Sequence, residues 1–134
     1  MALIERLVDA NRSFMRLPLW VRVWLVFILL PANAATFFMK GTPTGSWAAR
    51  TSAFIAAVNG SVILIQRGWG KALAVPHLFA WVPLLVFAAR RVGEPEASRS
   101  ERAHAGILLV VNGISLVFDV ADTWRWIKGE RGVP

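Results

Sequence analysis

The chain has 134 residues, of which 56% are hydrophobic and 17% are charged, whereas charged residues make up about 25% of an ordinary soluble domain; the composition therefore favours a membrane protein. It contains no cysteine, which excludes disulfides, thiolate metal sites and thiol catalysis. The net charge of +7 arises from basic residues that flank apolar segments, a distribution that predicts contact with membrane lipid headgroups and no binding of nucleic acid.

The N-terminal segment, residues 1–17, is predicted to form an amphipathic interfacial helix. At helical spacing, one face gathers the apolar residues Leu3, Ile4, Leu7, Val8, Phe14 and Met15. The opposite face is charged, and the segment is too short and too polar to cross a bilayer, so we expect it to lie in the headgroup plane. A second interpretation, in which the apolar face packs on the remainder of the chain or on a partner, accounts for the pattern equally well.

Four later segments are apolar over the length that is needed to cross a hydrocarbon core of about 30 Å. They cover residues 19–39, 47–66, 72–89 and 104–124, and the links between them are rich in glycine, proline and charged residues. Since every backbone polar group in lipid must be hydrogen-bonded within the protein, the sequence predicts an all-α fold, a four-transmembrane-helix bundle. In this interpretation residues 1–134 form one integral membrane domain, and residues 125–134 are its polar tail.

The first span also has features of a secretory signal. Basic residues precede it, and the small residues Ala32, Asn33 and Ala34 are typical of a cleavage site. The apolar character continues past that point through Phe37 and Phe38. We therefore interpret the segment as a transmembrane helix.

Spans two and four share the tripeptide Val-Asn-Gly, which ends at Gly60 and at Gly113. This repeat predicts two tandem helical hairpins, although chance accounts equally well for so short an identity. Glycine allows a neighbouring helix to approach closely. Because Ser52 and Ala56 extend the face of Gly60, we expect helix packing at these positions and expect span two to be the most enclosed helix.

The asparagines that precede these two glycines, Asn59 and Asn112, also have a predicted role. Asparagine side chains in membrane helices commonly hydrogen-bond to a neighbouring helix. We expect both residues to form such contacts rather than to bind a ligand.

One side of span four is polar. Its residues Asn112, Ser115, Asp119 and Asp122 recur at near-helical spacing, so this side is predicted to face the interior of the bundle. Asp119 is predicted either to titrate within an ion or proton path or to pair with Arg22 or Arg67. The presence of both arginines at a matching depth favours the ion pair.

The sequence offers little for catalysis or cofactor binding. His77 and His104, the two histidines, begin successive antiparallel spans and are expected on opposite sides of the membrane, so they do not form a shared metal or haem site. No Ser-His-Asp set shares one depth, and no phosphate-binding glycine loop follows a strand. We therefore expect no metal site, no cofactor and no enzymatic activity.

The basic residues also predict an orientation. With a cytoplasmic N-terminus, the inner side carries nine Lys and Arg residues and the outer side carries six. The inner set is Arg6, Arg12, Arg16, Arg22, Arg67, Lys71, Arg125, Lys128 and Arg131, and the outer set is Lys40, Arg50, Arg90, Arg91, Arg99 and Arg102. The positive-inside rule therefore predicts that both termini are cytoplasmic in a bacterial inner membrane.

Two functions follow from this pattern. The first is a non-enzymatic accessory or interaction subunit of a larger membrane complex, whose partner is another membrane protein or a second copy of the chain. The second is a small oligomeric transporter or channel with a polar path along span four. That path would combine Asn112, Ser115 and Asp119 with the facing residues Asn33, Asn59 and Gln66. The sequence does not separate either function from the binding of lipid or pigment in a Trp-lined groove.

Overall fold

The computed structural model describes residues 2–133, which are organised as helices; the chain is 83% helical, with no strand in this range. Five helices follow one another along the chain. They are α1, Ala2–Arg16; α2, Leu19–Phe38; α3, Pro43–Gln66; α4, Ala74–Val92; and α5, Arg99–Ile127. A short 3-10 turn, Lys71–Leu73, leads into α4. The predicted all-α class is confirmed.

Helices α2 to α5 are each long and apolar enough to cross a membrane, with α4 counted from Lys71. This confirms the predicted four-helix bundle. Helices α3 and α5 begin earlier than the predicted apolar segments do, because polar residues cap them. Thr42 accepts a hydrogen bond from the Gly45 N–H at 3.0 Å at the start of α3, and Ser98 accepts one from the Glu101 N–H at 3.0 Å at the start of α5. Such caps replace the partners that the first turn of a helix lacks.

Helix α2 is irregular along its length. Its middle, Trp24–Leu29, is π-helical, and its last turn, Ala35–Phe38, is a 3-10 helix. Pro31 follows the π-helical turn and has no N–H with which to continue the hydrogen-bond ladder. The Asn33 side chain donates to the Leu29 carbonyl at 3.0 Å. A side chain therefore supplies a hydrogen bond within the distorted region.

The centre of the bundle is a small apolar cluster. Its buried residues are Leu29, Ala48, Trp81, Leu84 and Leu108. Helices α4 and α5 form the most extensive helix pair, and both are more deeply enclosed than α3. The prediction that span two is the most enclosed helix is therefore wrong, because α3 turns Ala53, Ala56 and Ala57 outward.

Helix α1 docks at the end of the bundle where α3 and α5 end, which we call the termini end. The Arg6 guanidinium donates to the carbonyls of Leu64 and Ile65 at 2.8 and 3.1 Å, and these carbonyls lie in the last turn of α3, where a helix lacks internal donors. Ser13 accepts from the Trp69 N–H at 2.9 Å. Arg67 and Asp9 form an ion pair at 3.3 Å. The residues of α1 that are buried are Ala10 and Ser13.

The larger apolar residues of α1 mostly point away from the chain. Leu3, Ile4, Leu7, Val8 and Met15 are each more than 40% exposed. Phe14 is the exception, since its ring lies 5.4 Å from the Trp69 ring. Packing of this face on the remainder of the chain therefore involves mainly Phe14, with one further contact in which the Met15 sulfur lies 3.8 Å from Nη1 of Arg22.

Candidate functional site

Polar side chains form a line along the buried face of α5, which we call the polar line. Its members are Glu101, His104, Asn112, Ser115 and Asp119, none of them more than 9% exposed. Their separations of three, four or eight residues place them on one helix face. With a rise of 1.5 Å per residue, Glu101 and Asp119 lie about 27 Å apart along the axis. Leu108, which is fully buried, interrupts the line between His104 and Asn112.

At the termini end, Asp119 belongs to a hydrogen-bonded group that joins three helices. Its Oδ2 lies 3.1 Å from Nδ1 of His77 on α4. The Asn59 amide on α3 donates from Nδ2 to the Leu73 carbonyl at 3.2 Å and also lies 3.2 Å from Nε2 of His77. The Trp81 ring stacks on the imidazole at a centroid distance of 4.0 Å and an angle of 5°. Asp119, Asn59 and Trp81 together contact both nitrogens and one face of the His77 ring.

In the middle of the bundle, α5 is tied to α2. Asn33 and Asn112 exchange amide hydrogen bonds, with Nδ2 of Asn33 donating at 2.8 Å and Nδ2 of Asn112 donating at 3.1 Å. One turn away, Trp24 donates from Nε1 to the Ser115 hydroxyl at 2.9 Å. These bonds satisfy polar groups that lipid cannot hydrogen-bond.

At the opposite end of the bundle, both carboxylate oxygens of Glu101 accept hydrogen bonds. Arg91 donates to both carboxylate oxygens, from Nε at 2.9 Å and from Nη2 at 2.7 Å. Thr44 adds its backbone N–H at 3.0 Å and its hydroxyl at 2.8 Å. The bidentate geometry is the strong form of an Arg–carboxylate contact. Helices α3, α4 and α5 are therefore joined at this end as well.

Several enclosed side-chain polar atoms have no hydrogen-bond partner among the described residues. These are both ring nitrogens of His104, Nε1 of Trp81, Oδ1 of Asn59 and the hydroxyls of Ser52 and Thr123. Buried polar groups are nearly always paired. The unpaired Oδ1 of Asn59 stands out because the amide nitrogen of the same side chain has two contacts.

The predicted ion pair of Asp119 with Arg22 or Arg67 is not present. Arg22 donates from Nε to the Leu17 carbonyl at 3.2 Å, and Arg67 pairs with Asp9 on α1. Asp119 instead meets His77, because the close α4–α5 pair brings that ring to its level. Asp122 also departs from the polar line, with a side chain that is 40% exposed and lies 4.0 Å from Arg125.

The predicted packing at Gly60, Gly113 and Ala56 is not found within this chain. A Cβ added to Gly60 or Gly113 would have no neighbouring atom within 4 Å, and Ala56 is exposed. Ser52 is half-buried. Asn59 and Asn112 do bond across helix contacts, as predicted, but the adjoining glycines face away from those contacts.

Some members of this network were not foreseen from the sequence. The sequence places His77 near the start of a span without a partner, and it places Thr44, Arg91 and Glu101 in the links between spans. Asn33 does face Asn112, as the path interpretation required, whereas Gln66 donates to the Gly68 carbonyl. The α4 residues His77 and Arg91 meet the α5 residues Asp119 and Glu101 because of the register in which these two helices pack. The sequence alone does not determine that register.

An apolar groove lies among α1, α2 and α3, with a volume of about 340 Å³. Its lining is Ala10, Asn11, Phe14, Leu25, Val26, Leu30, Ile63 and Trp69. It contains none of the polar-line residues. Within residues 2–133, no group of three His, Asp or Glu side chains is placed to hold a metal ion.

The chain was compared with protein-family models, curated proteins and solved structures, and no match was found.

Proposed function

We propose that the protein is a non-enzymatic, multi-pass accessory subunit that binds another membrane protein within a larger complex. We place it in a bacterial inner membrane with both termini cytoplasmic, on the side of the nine basic residues.

The observation that carries this proposal is the closed arrangement of the interior. Asn33 with Asn112, Trp24 with Ser115, Arg91 with Glu101 and His77 with Asp119 each join two helices. Polar contacts of this kind hold membrane helices together. An interior whose polar groups mainly bind one another is suited to a fixed scaffold that acts through its outer surfaces.

The outer surface of α3 supports a role in helix association. Ala53, Ala56 and Ala57 are exposed, and space is open around Gly60. In lipid, where helices gain no hydrophobic energy by meeting, small side chains favour association because two backbones approach closely. We infer that a transmembrane helix of the partner packs on this face.

Helix α1 supports a second contact, with the membrane surface. We infer that it is an amphipathic interfacial helix whose outward Leu3, Ile4 and Leu7 enter the boundary between headgroups and acyl chains. Arg12 and Arg16 are exposed on the same helix and suit anionic headgroups.

The test is co-purification with substitutions on the α3 face. Gly60→Leu is expected to reduce recovery of the partner at least several-fold, because the added side chain holds the two helices apart. Gly106→Leu is the matched control, since space is also open at that glycine on α5. Both variants are expected to unfold near the wild-type temperature. Unchanged recovery of the partner with Gly60→Leu contradicts the assignment of this face.

A second candidate, a small oligomeric transporter or channel, is favoured by one observation. The polar line extends for most of the thickness of a hydrocarbon core. Under this alternative, reconstituted vesicles show ion or proton flux that Asp119→Asn abolishes. Wild-type vesicles without flux contradict it.

A further inference from the structure

The imidazole of His77 is held at both nitrogens by groups from other helices. Asp119 on α5 faces Nδ1, Asn59 on α3 faces Nε2, and Trp81 covers one face of the ring. Asp122 lies one turn beyond Asp119 and near Arg125. Asp119 is therefore the charged side chain in direct contact with the ring.

The contacts of Asn59 determine where the His77 hydrogen lies. Its Nδ2 donates to the Leu73 carbonyl at 3.2 Å, which identifies the amide nitrogen, a group that only donates. The same atom faces Nε2 of His77 at 3.2 Å, so Nε2 must accept. A neutral imidazole has one donor and one acceptor, and its hydrogen is therefore on Nδ1, directed at the Asp119 carboxylate.

We propose that His77 is a proton-binding site, and that a second proton on its ring is coupled to reversal of the Asn59 side-chain amide. The proton comes from water and adds to the lone pair of Nε2. The resulting N–H would face Nδ2 of Asn59, and two donors cannot hydrogen-bond to each other. Rotation of the amide by about half a turn replaces Nδ2 with Oδ1, which accepts.

The unpaired oxygen of Asn59 is the second observation that supports this coupling. Oδ1 is enclosed and has no partner in the present arrangement, whereas the reversed amide gives it the Nε2–H of His77. The reversal removes the Asn59 donor from the Leu73 carbonyl, so the bond between α3 and the 3-10 turn before α4 is present with neutral His77 and absent with the protonated ring, while the contact between Asn59 and His77 remains. The protonated ring retains Asp119 as its counter-ion. The inference is independent of the proposed accessory role.

Nitrogen-15 NMR of the full chain in detergent micelles tests the proposal. His104→Phe leaves His77 as the single imidazole, since the chain has two histidines, and Asn59→Leu identifies the Asn59 amide signal by its disappearance. Should either variant fold poorly, the same signals are assigned in the wild-type chain. Asn33 is the internal control, because it pairs with Asn112 and contacts no titratable group.

The expected result has two parts. At basic pH the hydrogen lies on Nδ1, and on acidification the Asn59 amide signals shift with the same midpoint as the imidazole signals, while those of Asn33 stay in place. A hydrogen on Nε2 at basic pH overturns the proposal. So does an Asn59 amide that is unaffected as His77 titrates, or a His77 that binds no second proton while the protein remains folded.

Discussion

Asn33 and Asn112 show how polar side chains are accommodated inside an apolar bundle. Each amide donates to the other, at 2.8 and 3.1 Å, and Asn33 also donates to the Leu29 carbonyl. Because no water replaces a lost partner in the bundle interior, the two side chains depend on each other. Their contributions to the free energy of unfolding are therefore expected to be coupled rather than independent.

A double-mutant cycle measures this coupling. Asn33→Leu and Asn112→Leu are each expected to lower the free energy of unfolding by about 1–2 kcal/mol. The double variant is expected to lose less than the sum, since the second substitution removes a group that is already unpaired. Equilibrium unfolding in mixed micelles gives the three values. Losses that add would show that the amides do not interact.

Among residues 2–133, Glu101 accepts the most side-chain hydrogen bonds, from four donor groups of Arg91 and Thr44. Glu101→Gln replaces an acceptor oxygen with a donor and removes the charge that faces Arg91. We expect a clear fall in the thermal unfolding temperature. Glu96→Gln is the control, because Glu96 is exposed and such substitutions change stability by about 0.5 kcal/mol or less. Equal effects of the two changes would refute the role assigned to Glu101.

At the residue scale the sequence predicted the inward face of α5 and the position of Asn33 opposite Asn112, but not the partners of Asp119, Ser115 and Glu101. The spacing of Asn112, Ser115 and Asp119 was sufficient, because helical geometry relates spacing directly to direction. The predicted partners of Asp119, which were Arg22 and Arg67, were wrong because they were selected by their depth in the membrane alone. Arg22 lies at the termini end, but its guanidinium donates to the backbone of Leu17, and only the packed hairpin reveals that His77 is nearer.

The turn between α2 and α3 depends on a glycine. A Cβ at Gly45 would overlap the backbone carbonyl of Met39, which cannot move without distorting the turn. We expect Gly45→Ala to lower the free energy of unfolding by about 1–3 kcal/mol, which is the usual cost of overpacking. Gly60→Ala is the control, since space is open there and alanine is the better helix former. The thermal unfolding temperature of Gly45→Ala is expected to lie well below those of the wild type and of Gly60→Ala.

The sequence was sufficient to predict that four spanning helices exist. It was less informative about where each helix begins and where its geometry is irregular. Four apolar segments of the required length identify four spans. The caps at Thr42 and Ser98 lie outside those segments, and so the starts of α3 and α5 were placed too late. A proline within a helix, such as Pro31 in α2, favours a distortion, but whether a π-helical turn or a simple kink results depends on how Trp24 and Leu29 pack in the bundle.

The orientation of the whole molecule can be tested with introduced cysteines, since the chain has none of its own. Ser98 precedes α5 and Gly132 follows it, so the two positions lie on opposite sides of the membrane. In intact cells an impermeant thiol reagent is expected to label cysteine at position 98 and not at position 132. The reverse pattern would contradict cytoplasmic termini.

The mass and composition of the native particle test the central claim most directly. Purification in a gentle detergent through a C-terminal tag, followed by native mass spectrometry, is expected to recover this chain with a different membrane protein at fixed stoichiometry. A particle that contains only copies of this chain would contradict the accessory role, because the outward α3 face would then lack a separate partner to bind.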